Sequence, residues 1–194
     1  MAYFGLSGNA PALMLGLVAL VSGLILFVRM RRHLAWPVLL AGGLAVLHSS
    51  GWLPNVVFVA LALLAASLAL GVAALHVYWA FAGTKHGGSA VPSSPNGQPL
   101  FSPGPLACIA VAVALATLTA ALAWAVFLPA ALAWPLRTVL SLALIVLSLR
   151  AIGDGRFVGF SKRVRDTAFG RADDALYTPA VVLLWFGAAS ALVL

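Results

Sequence analysis

Ten of the fifteen charged residues of this chain lie in residues 150–179, which read RAIGDGRFVGFSKRVRDTAFGRADDALYTP. The stretch holds six of the eleven Lys and Arg residues and all four acidic residues, Asp154, Asp166, Asp173 and Asp174. The rest of the chain is apolar. We therefore expect any working surface of the protein to lie here, although the residues alone do not say what that surface acts on.

The composition around this stretch excludes a water-soluble fold. Of 194 residues, 63% are hydrophobic and 8% are charged, so a soluble core could not hide the apolar surface. We predict an integral membrane protein of the all-α class, a polytopic transmembrane helical bundle of about six spans. The formal net charge is +7, and the basic residues flank apolar runs. We therefore predict contacts with the lipid bilayer and its anionic headgroups, and no nucleic acid partner.

Apolar runs separated by polar segments predict the spans. They cover residues 10–28, 34–53, 56–81, 105–128, 136–149 and 179–194. Thr178 and Pro179 form a cap and first-turn pair that predicts the start of the last helix. Whether the second run fully crosses stays open, because Pro37 lies in its first turn.

Two loops connect these runs on one side. Residues 83–104 are rich in Gly, Ser and Pro, and residues 150–178 carry the charges. Within the second loop, Phe157, Phe160 and Val164 share a helical stripe, which predicts a short amphipathic helix in the headgroup region over residues 157–168.

The basic residues predict the orientation. One side receives Arg29, Arg31, Arg32, Lys85 and the six basic residues of the charged stretch, whereas the other receives Arg137. The positive-inside rule makes the first side cytoplasmic and places both termini outside. The two loops, 83–104 and 150–178, then lie on one face.

A polar site on that face is the leading functional hypothesis. Its predicted ligand-binding residues are His76, Trp79, Arg150, Asp154, Arg163, Asp173 and Tyr177. Arginine forks suit phosphate or carboxylate, and a histidine near membrane depth is either a buried hydrogen-bonded group or a ligand contact. The charged loop is alternatively a plain connector on the membrane surface.

Known catalytic and metal signatures are lacking. The chain has one cysteine, Cys108, and no paired-cysteine or HisGluXaaXaaHis motif, so we predict no metal site. No phosphate-binding loop, GlyXaaSerXaaGly or dinucleotide fingerprint occurs either. Catalytic residues and cofactors are unknown, and an enzyme is not the favoured function.

Four motifs resemble a known family. They are HVYWAFAG at 76–83, FSPGPLA at 101–107, RAIGDGRFVGFSKRVRDTAF at 150–169 and LYTP at 176–179. Together they are similar to bacterial membrane proteins of domain-of-unknown-function family 3995, over about residues 55–194. The resemblance implies a four-helix membrane unit with residues 1–54 as two added helices. It groups His76, Trp79, the 101–105 loop and the charged loop, and it implies no activity.

Three functions therefore stay open. The protein binds or moves a small anionic or amphipathic, lipid-like ligand at its cytoplasmic face, or it is a membrane enzyme acting on a lipid or quinone-like substrate. Alternatively it is a structural or accessory subunit, with a homo-oligomer or another membrane protein as partner. A repeated LeuAlaTrpPro at 34–37 and 132–135 also permits an inverted repeat of the transporter kind.

Overall fold

The computed structural model describes residues 55–83, 89–128 and 134–194, together with Gly43 and Val46. The chain divides into two compact units, residues 1–58 with Val193 and residues 59–192 with Leu194. The spans predicted at 10–28 and 34–53 fall outside the described residues, apart from Gly43 and Val46, and so does the first LeuAlaTrpPro. The predicted division at residue 54 stays a prediction.

The described residues are helical apart from their loops. The helices are α1 (Asn55–Ala82), α2 (Pro105–Phe127), α3 (Trp134–Ile152), α4 (Ala168–Ala172) and α5 (Thr178–Val193). A π-helical turn, Asp173–Tyr177, joins α4 to α5 in one helix from Ala168 to Val193. Within these ranges four helices are long and apolar enough to cross a membrane, so the prediction of an all-helical integral membrane protein is confirmed. The count of about six is not.

Small residues fill the core shared by the four long helices. The buried cluster contains Ala62, Ala65, Ala66 and Ala69 of α1, Leu118, Ala121, Leu122 and Ala125 of α2, Leu140 and Leu147 of α3, and Leu184, Ala188 and Ala191 of α5. Alanine lets helix backbones approach closely, and close packing replaces the hydrophobic driving force that lipid does not supply. All four long helices therefore belong to one packed bundle.

The approach between α1 and α5 depends on Gly187. A Cβ atom at this position would lie 2.1 Å from the Cβ atom of Ala65, closer than two carbons can come. On another side of α5, the indole N–H of Trp185 donates to Ser148 Oγ of α3 at 2.9 Å. Packing and this hydrogen bond fix α5 against both neighbours.

The last helix begins earlier than predicted. Thr178 has helical dihedral angles, φ −65° and ψ −44°, so it is not an N-cap. Thr167 caps the helix instead, because its Oγ1 accepts a hydrogen bond from the Gly170 N–H at 2.9 Å. Pro179 lacks an N–H and would interrupt an ordinary α-helical ladder. The π turn directly before it, in which the Thr178 N–H donates to the Asp173 carbonyl, carries the helix past this residue.

The predicted amphipathic helix is wrong. Residues 153–167 form turns and bends that fold back on the end of α3, where the Phe160 N–H donates to the Ala151 carbonyl at 2.8 Å. Gly153, Gly155 and Gly159 have φ values of +85°, +76° and +75°. Such angles are incompatible with a helix and are adopted readily only by glycine. The three glycines therefore prevent the helix that the spacing of the phenylalanines predicted.

Candidate functional site

Asp154 shapes the loop that follows α3. Its Oδ1 accepts hydrogen bonds from the backbone N–H groups of Arg156, Phe157 and Val158 at 2.7–3.0 Å. Partial burial raises the pKa of the Asp154 carboxyl, but the three N–H donors outweigh that effect and hold the pKa below its ordinary value. This carboxylate is therefore occupied by its own loop.

Asp173 is the hub of a buried set of ion pairs. Its Oδ1 accepts from Arg150 Nη2 at 2.6 Å, and its Oδ2 accepts from Lys162 Nζ and the Gly159 N–H, both at 2.9 Å. The side chains of Asp173 and Lys162 are both 0% exposed. The first residue of the π turn therefore ties the end of α3 to the loop 153–167.

Asp174 extends the same cluster toward the surface. Its Oδ1 accepts from Lys162 Nζ at 2.6 Å and from Arg165 Nη1 at 2.7 Å. Arg165 Nη2 also donates to the Phe160 carbonyl at 3.0 Å. We call Arg150, Lys162, Arg165, Asp173 and Asp174 the ion network. Its two carboxylates hold three cations in place.

The polar groups of the ion network bond to one another and to the backbone of the loop 153–167. Its members use most of their polar groups on one another, and such a buried set is costly to break once formed. Arg150 Nη1 is buried and has no hydrogen-bond partner within the described residues, so one donor group of this guanidinium stays outside the network. The predicted ligand contact of Arg150 and Asp173 stays a prediction, and the structure shows them bonded to each other.

A cavity of about 250 Å³ lies where α1 ends and α2 begins. Its walls include His76, Trp79, Phe101, Pro103, Ala107 and Cys108. The walls are apolar apart from an imidazole, an indole N–H and a thiol. In another protein a cavity of about 150 Å³ binds benzene, so this one has room for a ring with a short substituent or for part of an acyl chain.

His76 is held by its own helix. Its Nδ1 lies 2.8 Å from the carbonyl oxygen of Val72, one turn earlier. The ring meets Trp79 edge to face, with ring centroids 5.1 Å apart and planes at 68°. Spacing of three residues places both side chains on one face of α1, the face that borders the cavity. The protein itself therefore orients the imidazole.

The loop 89–104, which we call the cavity loop, forms another wall of the cavity and links the cavity to the π turn. A turn at Ser94–Gly97 and an isolated bridge between Ser93 and Pro99 give it local structure. Ser89 Oγ lies 3.4 Å from the hydroxyl of Tyr177, the last residue of the π turn. The cavity loop and the ion network therefore lie at the same end of the bundle.

The predicted site residues come together in pairs, and no single cluster contains them all. His76 and Trp79 line the cavity, Arg150 and Asp173 form an ion pair, and Tyr177 contacts the cavity loop. The grouping of His76 and Trp79 with the 101–105 loop, which the resemblance implied, corresponds to the cavity walls. The ligand-binding role of all these residues stays a prediction.

Two predicted residues stand apart, and three important ones were missed. Asp154 and Arg163 are exposed, and neither lines the cavity. The missed residues are Lys162, Asp174 and Arg165 of the ion network. The adjacent carboxylates at 173 and 174, soon after a run of basic residues, were the available signal for internal charge pairing.

Metal ligands are not gathered anywhere in residues 55–83, 89–128 and 134–194. No group of three or more His, Cys, Asp or Glu side chains in this part of the chain could hold a metal ion.

Comparison with known families gives one match. The family described as "Protein of unknown function (DUF3995)" matches residues 69–189, more than half of the chain. Comparison with curated proteins found no match, and comparison with solved structures found none either. The matched range contains the cavity walls and the whole ion network. The resemblance noted in the sequence is thus confirmed, and the chain belongs to the DUF3995 family of membrane proteins of unassigned activity.

Proposed function

We propose that this protein binds a small amphipathic, lipid-like molecule whose apolar part enters the cavity beside His76 and Trp79. The cavity is the observation that carries the proposal. Small-molecule sites are concave, mostly apolar and furnished with a few fixed polar groups, and these walls have that character. The ring of His76 is already oriented by Val72, which lowers the entropic cost of using it.

The polar end of the ligand would lie toward the loops. We assign this end of the bundle to the cytoplasmic face, because the basic residues concentrate there and the positive-inside rule favours that side. Arg163 is exposed, and its side chain makes no hydrogen bond or ion pair with the described residues, so it is available to a headgroup.

The ion network has a supporting role in this proposal. It fixes the loop 153–167 and the π turn, and the π turn presents Tyr177 to Ser89 of the cavity loop. We therefore expect substitutions in the ion network to change ligand retention through the position of the cavity loop, without a direct contact to the ligand.

A membrane enzyme is the second candidate, because an imidazole borders the cavity. His76 is the residue that could move a proton to or from a bound lipid or quinone-like substrate. Asp154, the other predicted proton carrier, caps its own loop and does not line the cavity. Binding has the stronger support, since it needs no second proton-transfer group.

Native mass spectrometry of the purified protein, released gently from its membrane, tests the proposal. We expect one retained small molecule in the wild type. Ala107→Phe places a ring in the cavity wall and should remove that molecule. Ala110→Phe is the matched control, because Ala110 is exposed on the same helix and does not line the cavity.

The reactivity of Cys108 gives a second readout. It is the single cysteine of the chain and lies in the cavity wall, so a bound molecule should slow its labelling by a small maleimide. Equal labelling before and after delipidation, together with an empty mass spectrum, would contradict ligand binding. That outcome would favour an accessory subunit.

A further inference from the structure

The hydrogen bond at His76 determines which polar group the cavity can accept. Nδ1 lies 2.8 Å from the carbonyl oxygen of Val72. A carbonyl oxygen can only accept a hydrogen bond, so Nδ1 must carry the proton and donate it. In the neutral imidazole the other ring nitrogen, Nε2, then carries a lone pair and is an acceptor.

No described residue donates a hydrogen bond to this acceptor. Within the described residues the hydrogen bond of His76 is the one to Val72, and no other residue bonds its ring. The neighbouring walls from Phe101, Pro103 and Ala107 carry no side-chain donor. Nε2 is thus an acceptor at the cavity that has no donor among the described residues.

We propose that the molecule bound in the cavity is neutral and carries a hydroxyl group, as in an alcohol or a phenol, which donates to His76 Nε2. The proposal rests on the ligand-binding function above and names its ligand class. An ether, ester or quinone carbonyl offers only acceptors; it could accept from the Trp79 indole N–H but would leave Nε2 without a donor.

An anionic group is also disfavoured at this position. A carboxylate has no proton to donate, and among the described residues no Lys or Arg lines the cavity to compensate its charge. Transfer of an unpaired charge into an apolar cavity is far more costly than transfer of a hydroxyl that finds a hydrogen bond. Anionic parts of a larger ligand would have to stay outside, near the loops.

Three probes of one shape separate these classes. They are para-ethylphenol, para-ethylanisole and para-ethylbenzoate, which present a donor, an acceptor alone and an anion on the same ethylphenyl group. Each is titrated against maleimide labelling of Cys108 in wild-type protein in lipid nanodiscs. Partition of each probe into protein-free nanodiscs is measured separately, so that free concentrations are compared.

We expect the phenol to protect Cys108 at about fivefold lower free concentration than the anisole, the factor that one net hydrogen bond supports. His76→Leu should abolish this preference and leave anisole protection unchanged. His76→Gln, which retains an acceptor oxygen, should restore part of it. The wild-type comparison stands by itself if a variant fails to fold.

The other outcomes are equally informative. If the anisole or the benzoate protects as well as the phenol, or better, the hydroxyl inference is overturned while cavity binding is retained. If the phenol preference persists in His76→Leu, His76 is not the acceptor and the inference fails. If no probe protects Cys108 at any concentration, the cavity does not bind small molecules, and the proposed function falls together with the inference.

Discussion

Replacement of Asp173 by asparagine should destabilise the protein more than any comparable change at the loop surface. Asp173→Asn keeps the size of the side chain and removes its charge. Asp173 accepts from Arg150, Lys162 and the Gly159 N–H through two oxygens, and asparagine has one acceptor oxygen and an NH₂ group. At least one of the three donors would therefore face another donor.

The expected size of the effect follows from the burial of the ion network. Lys162 and Asp173 are each 0% exposed, and Arg150 is 31% exposed. Removal of one partner from a buried ion pair costs about 3–5 kcal/mol of unfolding free energy. For a protein of this size, 1 kcal/mol shifts Tm by roughly 2–4 °C, so a decrease of about 6–20 °C is expected.

Thermal unfolding in a mild detergent, followed by helical circular dichroism, measures this decrease. Arg163→Gln is the matched control, because Arg163 lies in the same loop, is exposed and makes no side-chain bond within the described residues. A decrease for Asp173→Asn no larger than for the control would refute the assignment of Asp173 as the hub. Arg150→Met combined with Asp173→Asn should cost less than the sum of the two single changes.

Three further predictions concern other parts of the fold. Gly187→Ala should cost about 1–3 kcal/mol of unfolding free energy, because it forces α5 away from α1. Gly71→Ala should not destabilise the protein, because a Cβ atom there meets nothing within 4 Å. Thermal unfolding measures both effects. Gly159→Ala should expose the loop 153–167 to limited proteolysis, because its Cβ would lie 2.6 Å from a carbonyl oxygen of α3, and the open-space control Gly155→Ala should expose it less. Asp154→Ala should cost about 0.5–2 kcal/mol at pH 7, as the loss of a cap does. Since the folded pKa of Asp154 is depressed, this contribution is present above about pH 4 and is lost as the pH falls through the folded value, so the two proteins should converge in acid unfolding curves.

The long helices were predictable from the sequence because every apolar residue in a run adds to the evidence for a membrane span. Each apolar run is bounded by polar or proline-rich segments, and Pro105 opens α2 as predicted. The loop 153–167 was not predictable in this way. Gly153 is needed because a Cβ there would lie 1.7 Å from the Val158 carbonyl oxygen. That contact exists only after the chain has folded back, so the spacing of the phenylalanines gave the wrong local structure.

The site was predictable in part, for a related reason. His76 and Trp79 are three apart on one helix, so their common face follows from periodicity alone. The pairing of charges does not follow from spacing. Arg150 is four residues from Asp154 but bonds Asp173, because Asp154 turns to its own loop and the π turn brings Asp173 to the end of α3. The tertiary fold, and not the sequence spacing, therefore determines which of the four carboxylates pairs with Arg150.

Much of the charge of the stretch 150–179 is therefore used within the protein itself. Three of its six cations and two of its four carboxylates neutralise one another in the ion network, and one of the remaining carboxylates caps the loop. A small excess of positive charge remains in this stretch. Such an excess is enough to orient a protein in a membrane, but few exposed side chains carry it. The cavity, in contrast, borders no charged side chain among the described residues and has the oriented imidazole of His76 in its wall. The charges that hold the loops and the cavity, which has no charged wall among the described residues, are thus separate features, and this separation supports the proposal of a neutral hydroxyl ligand over an anion.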